Sequence, residues 1–353
     1  MTTHKKLDRS GALSWVDHNR IYLIFVVALL VMTAFAPKFF NVFNLTTISK
    51  TAAMNACVAI GFTIVMICGH LDLSIGTVIT LAGVVGLGLK KYVGYEISVP
   101  LALCSGALVG LVNGLLVTKV KISSFIVTLG TMTILQGLIY QITGGNSIAL
   151  STPDAFSVAD FLGHRLIPLV TPRVLITLVL VLLFQFLLSS TRWGRNFYMV
   201  GGNKSTAWLG GIEADRQIVV AFVLSGLLAA TGGVFFAMES SAATRNMGDN
   251  SLMYVLSATI IGGTAMSGGK GGVFRSFVAI LALEIIYDGI ILFGLGNEVK
   301  IFLAGFILAV VVLYEAYASY RHDRVVGQRS ELLAELSAAG RGNRSTDAAS
   351  SRG

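Results

Sequence analysis

Charge is what this chain has least of. Only 12% of its 353 residues are Asp, Glu, Lys or Arg, where a soluble domain carries roughly 25%. With 54% of the residues hydrophobic, too few polar side chains remain to cover a globule in water, whereas lipid tolerates such a surface. Proline is scarce, 5 residues against 39 glycines. A glycine excess of this kind suits helices packed closely in lipid. There are three cysteines, Cys57, Cys68 and Cys104, each within or at the edge of an apolar run. None has a partner at a metal or redox spacing, so packing is their expected role and no disulfide is expected. No cleavable leader is expected either: the polar opening with Lys5, Lys6, Asp8, Arg9, Asp17 and Arg20 runs into an apolar stretch too long for a leader's core.

Enzyme motifs are also missing. There is no H-E-x-x-H, no G-x-S-x-G and no paired Cys/His pattern. The run Ser267-Gly268-Gly269-Lys270-Gly271-Gly272 suggests a phosphate-binding loop, but its first Gly is misplaced and Lys270 is followed by Gly271 rather than Ser or Thr. No nucleotide site of the chain's own is expected, so any ATP that drives it is bound elsewhere.

What the sequence does contain is a series of apolar runs near the ~20 residues that a spanning helix needs. They fall at about 20–37, 51–69, 73–90, 97–118, 123–142, 173–190, 217–238, 252–265, 272–294 and 298–318. The expectation is an all-α membrane protein of about ten transmembrane helices. Glycine clusters interrupt or flank the third and eighth. The 26 basic residues against 18 acidic ones read as topology signals rather than a nucleic-acid surface. With the N-terminus in the cytoplasm, the basic tails, Lys119 and Lys121, the cluster Arg192, Arg195, Lys204 and Arg216, and Lys270 and Arg275 all fall inside. An even count puts both termini there. The expected organisation is a tail over 1–19, a transmembrane domain over 20–318 and a C-terminal tail over 319–353 that is partly disordered. Two polar segments read as true loops, 143–172 outside and 191–216 inside. Glu239 and Arg245 should also face outside, in a solvated loop or against a partner.

Three segments carry chemistry. In Cys68-Gly69-His70-Leu71-Asp72-Leu73-Ser74-Ile75-Gly76-Thr77, an acid, a His and a hydroxyl interrupt apolar sequence. A carboxylate beside a span must be paired, hydrated or placed at a helix end. Asp72 therefore reads either as a cap for the third span or as a solute contact, and His70 as a packed histidine or a proton relay. The stretch from Arg192 to Ile212 reads as a basic lead-in, a Gly201-Gly202 break and a short helix capped by Asn203 and stopped at Gly210-Gly211. That shape suits contact with a partner as well as an ordinary loop. Ile261 to Gly272 is half glycine, a re-entrant turn or a flexible loop.

In this order the segments resemble the membrane permease of bacterial ABC importers of the ribose, xylose and arabinose type. That family typically reads Gly-Gly-Ile-Asp-Leu-Ser-Val-Gly-Ser at Gly69–Thr77, Gly-Gly-Asn to Gly-Ile at Gly201–Ile212, and Ile-Gly-Gly-Thr-Ser-Leu-x-Gly-Gly-x-Gly at Ile261–Gly271. The stretches Val112–Lys119 and Thr128–Thr131 fit as well, so the likeness covers about 40–315. It implies a permease of the bacterial inner membrane without an ATPase site. Its partners would be an ATP-binding subunit that uses ATP and Mg, a periplasmic sugar-binding protein, a second permease copy or paralogue, and membrane lipid, but no nucleic acid. Carried over, Gly202, Asn203, Lys204, Ala207, Gly211 and Ile212, with Arg195, would form the coupling element that docks on the ATP-binding subunit. His70, Asp72, Ser74, Glu284, Tyr287 and Asp288 are candidates for the translocation path.

The chain departs from the pattern at His70, where the family has Gly, and in the ninth span. There Glu284 and Asp288 sit at i and i+4 on one helix face near a usual Asn pair. Two like charges one turn apart in lipid must line a wet cavity, share a proton or find a cation. A solute path and a salt bridge to Arg245 or Arg275 both answer that. The expected solute is a monosaccharide, a pentose, hexose or related polyol. A nucleoside, a branched-chain amino acid or an autoinducer-type sugar derivative is the alternative for the same machinery. A proton- or sodium-coupled carrier is a third reading.

Overall fold

The computed structural model describes residues 4–149, 158–167, 169–296, 298–310 and 312–313. The C-terminal tail expected over 319–353 lies outside the described residues. Eleven helices and two short strands are α1 (His4–Phe35), α2 (Val42–Ile67), α3 (Ile75–Lys119), α4 (Ser124–Thr143), β1 (Ile148–Ala149), α5 (Val158–Gly163), α6 (Pro172–Ser190), α7 (Arg192–Gly202), α8 (Lys204–Leu209), α9 (Ala214–Ser240), β2 (Ala242–Ala243), α10 (Asp249–Ile261) and α11 (Val273–Leu292). A further helical stretch covers 298–310.

α2, α3, α4, α6 and α9 are each long and apolar enough to cross a bilayer. α3 has 45 residues, about 68 Å at 1.5 Å per residue, more than twice a hydrocarbon core. It does not run straight. Gly94, at φ 70 and ψ 174, breaks the helix, and Asn113 Nδ2 donates to Ser74 Oγ across 2.9 Å. A bond between residues at the two ends of the element requires it to fold back on itself, so α3 contains the third and fourth expected spans. Among the described residues, both halves of α3 with α1, α2, α4, α6, α9, α10, α11 and the 298–310 stretch correspond to the ten expected runs. α10, with 13 residues, is only about 20 Å long and passes into the glycine-rich segment.

Boundaries shift where composition alone is a poor guide. α2 starts at Val42, nine residues before its apolar run, because Asn41 caps it by accepting from Phe43 N at 2.9 Å. α1 is helical from His4 across the expected edge of the N-terminal tail. The loop expected over 143–172 contains α5 and β1, and β1 pairs antiparallel with β2, Ile148 opposite Ala243. That pairing and an isolated bridge between Ile167 and Val170 are the departures from an all-α chain among the described residues.

α2 lies at the centre, with every residue from Ala52 to Cys68 buried. α9 packs on both α2 and α3. The α3–α9 contact is made backbone to backbone: a Cβ on Gly226 would fall on the Gly106 carbonyl, and one on Gly110 on the Phe222 carbonyl. Glycines four residues apart let two helices approach this closely, which is how association proceeds in lipid without a hydrophobic driving force. Outward-facing positions stay apolar, among them Phe35, Ile134, Leu182 and Phe186. Water would penalise that surface and acyl chains would not.

The helix ends collect at two poles. At one, α8 and the segments 68–74 and 262–272 meet. At the other lie β1, β2 and a cluster around Glu239, which pairs with Lys50 at 3.3 Å and with the buried Arg173. The Arg173 guanidinium also donates from Nε to Leu162 O at 3.0 Å. Glu239 thus anchors α2, α6 and α9 together.

Candidate functional site

The α7–α8 segment is built from its caps. Thr191 Oγ1 accepts from Gly194 N at 3.0 Å and starts α7. Asn203 ends α7, and its Oδ1 accepts from Thr206 N at 3.0 Å to start α8. Gly211, at φ 75, takes the left-handed turn that stops α8, and Ile212 N then returns to Ala207 O at 3.0 Å. Ala207 points into the fold, fully buried, while Trp208 is 73% and Leu209 79% exposed. Gly202, Asn203, Lys204 and Gly211 are exposed, as is Arg195 on α7, and Ile212 is partly buried. A six-residue helix gains little from its own hydrogen bonds. This one is held by both caps and by Ala207, and it presents an aromatic and an aliphatic side chain outward.

Beneath α7 the three glycine-bearing segments converge. Gly269 N donates to Ile67 O at 2.8 Å and Tyr198 Oη to Gly271 O at 3.1 Å. A Cβ on Gly268 would meet Gly201 O and Gly69 Cα, each at 2.8 Å, and one on Gly269 would meet Gly202 Cα at 3.0 Å. Any side chain here would separate α7 from α2 and from the turn before α11. The segment 262–272 is therefore a packed turn with Thr264 buried, rather than a flexible loop.

Beside this junction, His70 Nε2 lies 3.4 Å from Lys204 Nζ on α8. Burial, then the Lys204 ammonium, pull the imidazole down to about 4. It is therefore neutral near pH 7 and free to accept from Lys204. Its ring lies against Phe222 at 6.1 Å.

Asp72 is 1% exposed. One carboxylate oxygen accepts from Ser74 N at 3.1 Å and Ser74 Oγ at 2.6 Å. The other accepts from Ser225 Oγ on α9 at 2.8 Å. Ser74 Oγ accepts in turn from Asn113 Nδ2, and Asn113 Oδ1 accepts from Thr131 Oγ1 on α4 at 2.6 Å. Thr128 Oγ1 accepts from Leu73 N at 3.1 Å. One carboxylate thereby joins α3, α4 and α9. Ser74 is the α3 N-cap residue but makes no side-chain cap bond, so Asp72 stabilises the turn before the helix rather than capping its first amides.

Glu284 and Asp288 occupy one face of α11, as their spacing requires. Each meets an asparagine of α2: Asn55 Nδ2 donates to Glu284 Oε1 at 3.0 Å, and Asn44 Nδ2 to Asp288 Oδ2 at 2.7 Å. Glu284 is 5% exposed. Lys300, whose ammonium lies 5.3 Å above the Tyr287 ring, is the cation felt by both carboxylates. Tyr254 of α10 packs on Tyr287 at 5.3 Å. Asn55 Oδ1 and the Tyr287 hydroxyl are buried without a hydrogen-bond partner.

The structure thus divides the candidate residues into two groups. Gly202 to Ile212, His70, Asp72 and Ser74 gather at the α8 pole, and Glu284, Tyr287 and Asp288 form a separate polar layer between α2 and α11. Sequence reasoning missed the residues that complete both groups: Asn113, Thr131 and Ser225 in the first, Asn44, Asn55 and Lys300 in the second. A carboxamide in the middle of an apolar run was the available signal for Asn55 and Asn113. Ser225 gave none.

The fold and this site are those of a polytopic helical membrane protein with a capped surface helix seated on a glycine junction. The chain belongs to the family described as the permease component of the branched-chain amino acid transport system, whose pattern matches residues 44–312. It is similar to the ribose import permease protein RbsC of Escherichia coli (strain K12), 28% identical over 307 residues covering 86% of this chain and 94% of that one. RbsC of Bacillus subtilis (strain 168) is 30% identical over 299 residues, 83% and 91% of the two chains. The autoinducer 2 import system permease protein LsrC of Photorhabdus luminescens is 30% identical over 282 residues, 79% and 83%. No solved structure matches the chain.

Proposed function

We propose that this chain is the membrane-spanning permease of an ATP-driven importer that moves a monosaccharide, handed over by a periplasmic binding protein, into the cell. The observation that carries the reading is the α7–α8 element: capped at both ends, seated by Ala207 on the core and presenting Trp208 and Leu209 outward. Exposed apolar side chains on a short, rigid, basic-flanked helix fit a groove on an ATP-binding subunit. The α8 pole then faces the cytoplasm, as do both termini. Motion of α8 reaches the pore helices through the Gly69–Gly201–Gly268 contact, since glycine backbones in van der Waals contact cannot slide independently. The chain itself binds no nucleotide; ATP and Mg belong to the partner, and a second permease copy or a paralogue closes the path. RbsC and LsrC, named for the import of ribose and of autoinducer 2, support a polyhydroxylated solute over a branched-chain amino acid.

The Glu284 layer lies on the solute path. Two carboxylates and two asparagines are suited to exchange hydrogen bonds with sugar hydroxyls, while Lys300 offsets their charge.

The test is uptake in proteoliposomes carrying the permease, its ATP-binding subunit and its binding protein. Trp208→Ala with Leu209→Ala should abolish sugar-stimulated ATP hydrolysis while the permease still folds. Glu284→Gln with Asp288→Asn should change solute choice or rate. Uptake that survives ATP depletion and stops with a protonophore would refute the reading and favour an ion-coupled carrier.

A further inference from the structure

A cavity of about 510 Å³ opens between the 68–74 segment, the turn joining α3 to α4, α8 and α9. No role assigned above uses the cavity itself, although His70 and Lys204 on its wall are also path and coupling candidates. Its wall carries three nitrogen bases, His70, Lys121 and Lys204, against one carboxylate, Asp215. Among the described residues, neither Lys121 nor Lys204 lies within ion-pair distance of a carboxylate. The Lys204 ammonium faces the neutral His70 imidazole instead, at 3.4 Å. Ser124 adds a hydroxyl whose oxygen already accepts from Leu71 N at 3.3 Å, which leaves its proton to donate into the cavity. Lys121 is held at φ 62, in the left-handed region that favours glycine and asparagine. A backbone conformation disfavoured for lysine, retained at the cavity mouth, marks a position where the side chain matters more than local comfort.

Two ammonium groups outside ion-pair distance of any carboxylate among the described residues, a free hydroxyl donor and an imidazole beside them outweigh the single Asp215 charge and make a receptor for a compact oxyanion. A carboxylate has two oxygens on one edge. A phosphate monoester has three, spread over a tetrahedron, one for each of the two ammonium groups and the hydroxyl that line the cavity. We propose that this cavity binds a phosphate monoester, presented either by a soluble phosphorylated metabolite or by an anionic lipid headgroup. Its occupancy bridges Lys204 on α8 to Lys121 on the α3–α4 turn and restrains α8. Charge alone decides the direction of each variant: removing Lys121 weakens the site, and removing the Asp215 charge strengthens it.

The experiment uses the full chain in phosphatidylcholine nanodiscs and needs no partner subunit, so its outcome is independent of the importer reading. Glucose 6-phosphate is titrated against wild type, Lys121→Asn and Asp215→Asn, with glucose as the uncharged control. Asparagine suits the left-handed backbone at 121, and an unchanged thermal transition shows that each variant folds. The expected result is saturable binding of the ester only, weakened about tenfold by Lys121→Asn and tightened several-fold by Asp215→Asn. The second arm dopes the discs with phosphatidic acid. Stabilisation by the lipid that Lys121→Asn removes, with no binding of the soluble ester, assigns the site to a headgroup. Binding of neither probe, or equal binding by all three proteins, overturns the proposal. The gain expected from Asp215→Asn cannot arise from misfolding.

Discussion

Removing the Asp72 carboxylate tests whether this residue holds the fold together or touches solute. Asp72→Ala deletes the acceptor for three hydrogen bonds, from Ser74 N, Ser74 Oγ and Ser225 Oγ. Hydrogen bonds inside membrane proteins average about 0.6 kcal/mol, which puts the three at about 2 kcal/mol. Leaving one buried donor unsatisfied costs about 1–3 kcal/mol, and both Ser74 and Ser225 are fully buried. The expected loss is therefore about 2–5 kcal/mol. Asp72→Asn keeps one acceptor oxygen for Ser74 and presents an amide to Ser225 Oγ, which can accept, so it should lose about 1–2 kcal/mol. The assay is reversible unfolding of the full chain in detergent or bicelles, with Ser225→Ala and the double variant completing a cycle. A coupling energy of about 1 kcal/mol or more between Asp72 and Ser225 is expected for groups in direct contact. Full stability of Asp72→Ala, accompanied by lost transport, would refute this reasoning and make Asp72 a solute ligand.

At the α3–α9 contact, Gly110→Val should lower the yield of folded protein severely, since its side chain would occupy the Phe222 carbonyl. Gly130→Ala, which meets nothing within 4 Å, should be neutral or gain up to about 1 kcal/mol of helix stability; thermal transitions of both variants check this. His70 gives stability a pH dependence. An imidazole pulled down to about 4 in the fold, against an ordinary value near 6.5, resists protonation, so the folded state is fully favoured above about pH 6.5 and weakens as pH falls toward 4. The swing is at most about 3 kcal/mol, less what water screens at this partly exposed site, and His70→Gln should flatten it in melts recorded across that range. Arg173→Met should destabilise the pole opposite α8, because it leaves Glu239 with Lys50 alone and Leu162 O without its donor; proteolysis of the 143–172 loop should speed up accordingly.

The helical membrane architecture was legible because lipid imposes one simple rule, a run of about 20 apolar residues, and α2, α3, α4, α6 and α9 meet it. The bounds of α8 were legible as well, because Asn203 and Gly211 act through local backbone chemistry that sequence displays, whereas α7 was not: the expected lead-in and Gly201-Gly202 break are helical throughout. Nor was the N-terminal start of α2 legible. Residues 42–50 include Asn44, Thr46, Thr47, Ser49 and Lys50, and these are tolerated because they face neighbours: Asn44 meets Asp288, Ser49 meets Leu169 O and Lys50 meets Glu239. Such partners lie 120 to 244 residues away along the chain, and no local pattern encodes them. Salt bridges from Arg245 or Arg275 were candidate answers for the α11 carboxylates, yet the charge facing them is Lys300, placed there by the fold-back after α11. The three glycine segments could be singled out individually, but their convergence on one point is a tertiary fact.

The glycine-to-carbonyl seating of α9 in α3 limits how this molecule can rearrange. α9 and the second half of α3, whose main chains touch over several turns, behave as a single girder, with little side-chain volume between them to repack. Whatever widens and narrows during a cycle must therefore be borne by the helices around that girder, where the joints are cushioned by longer side chains.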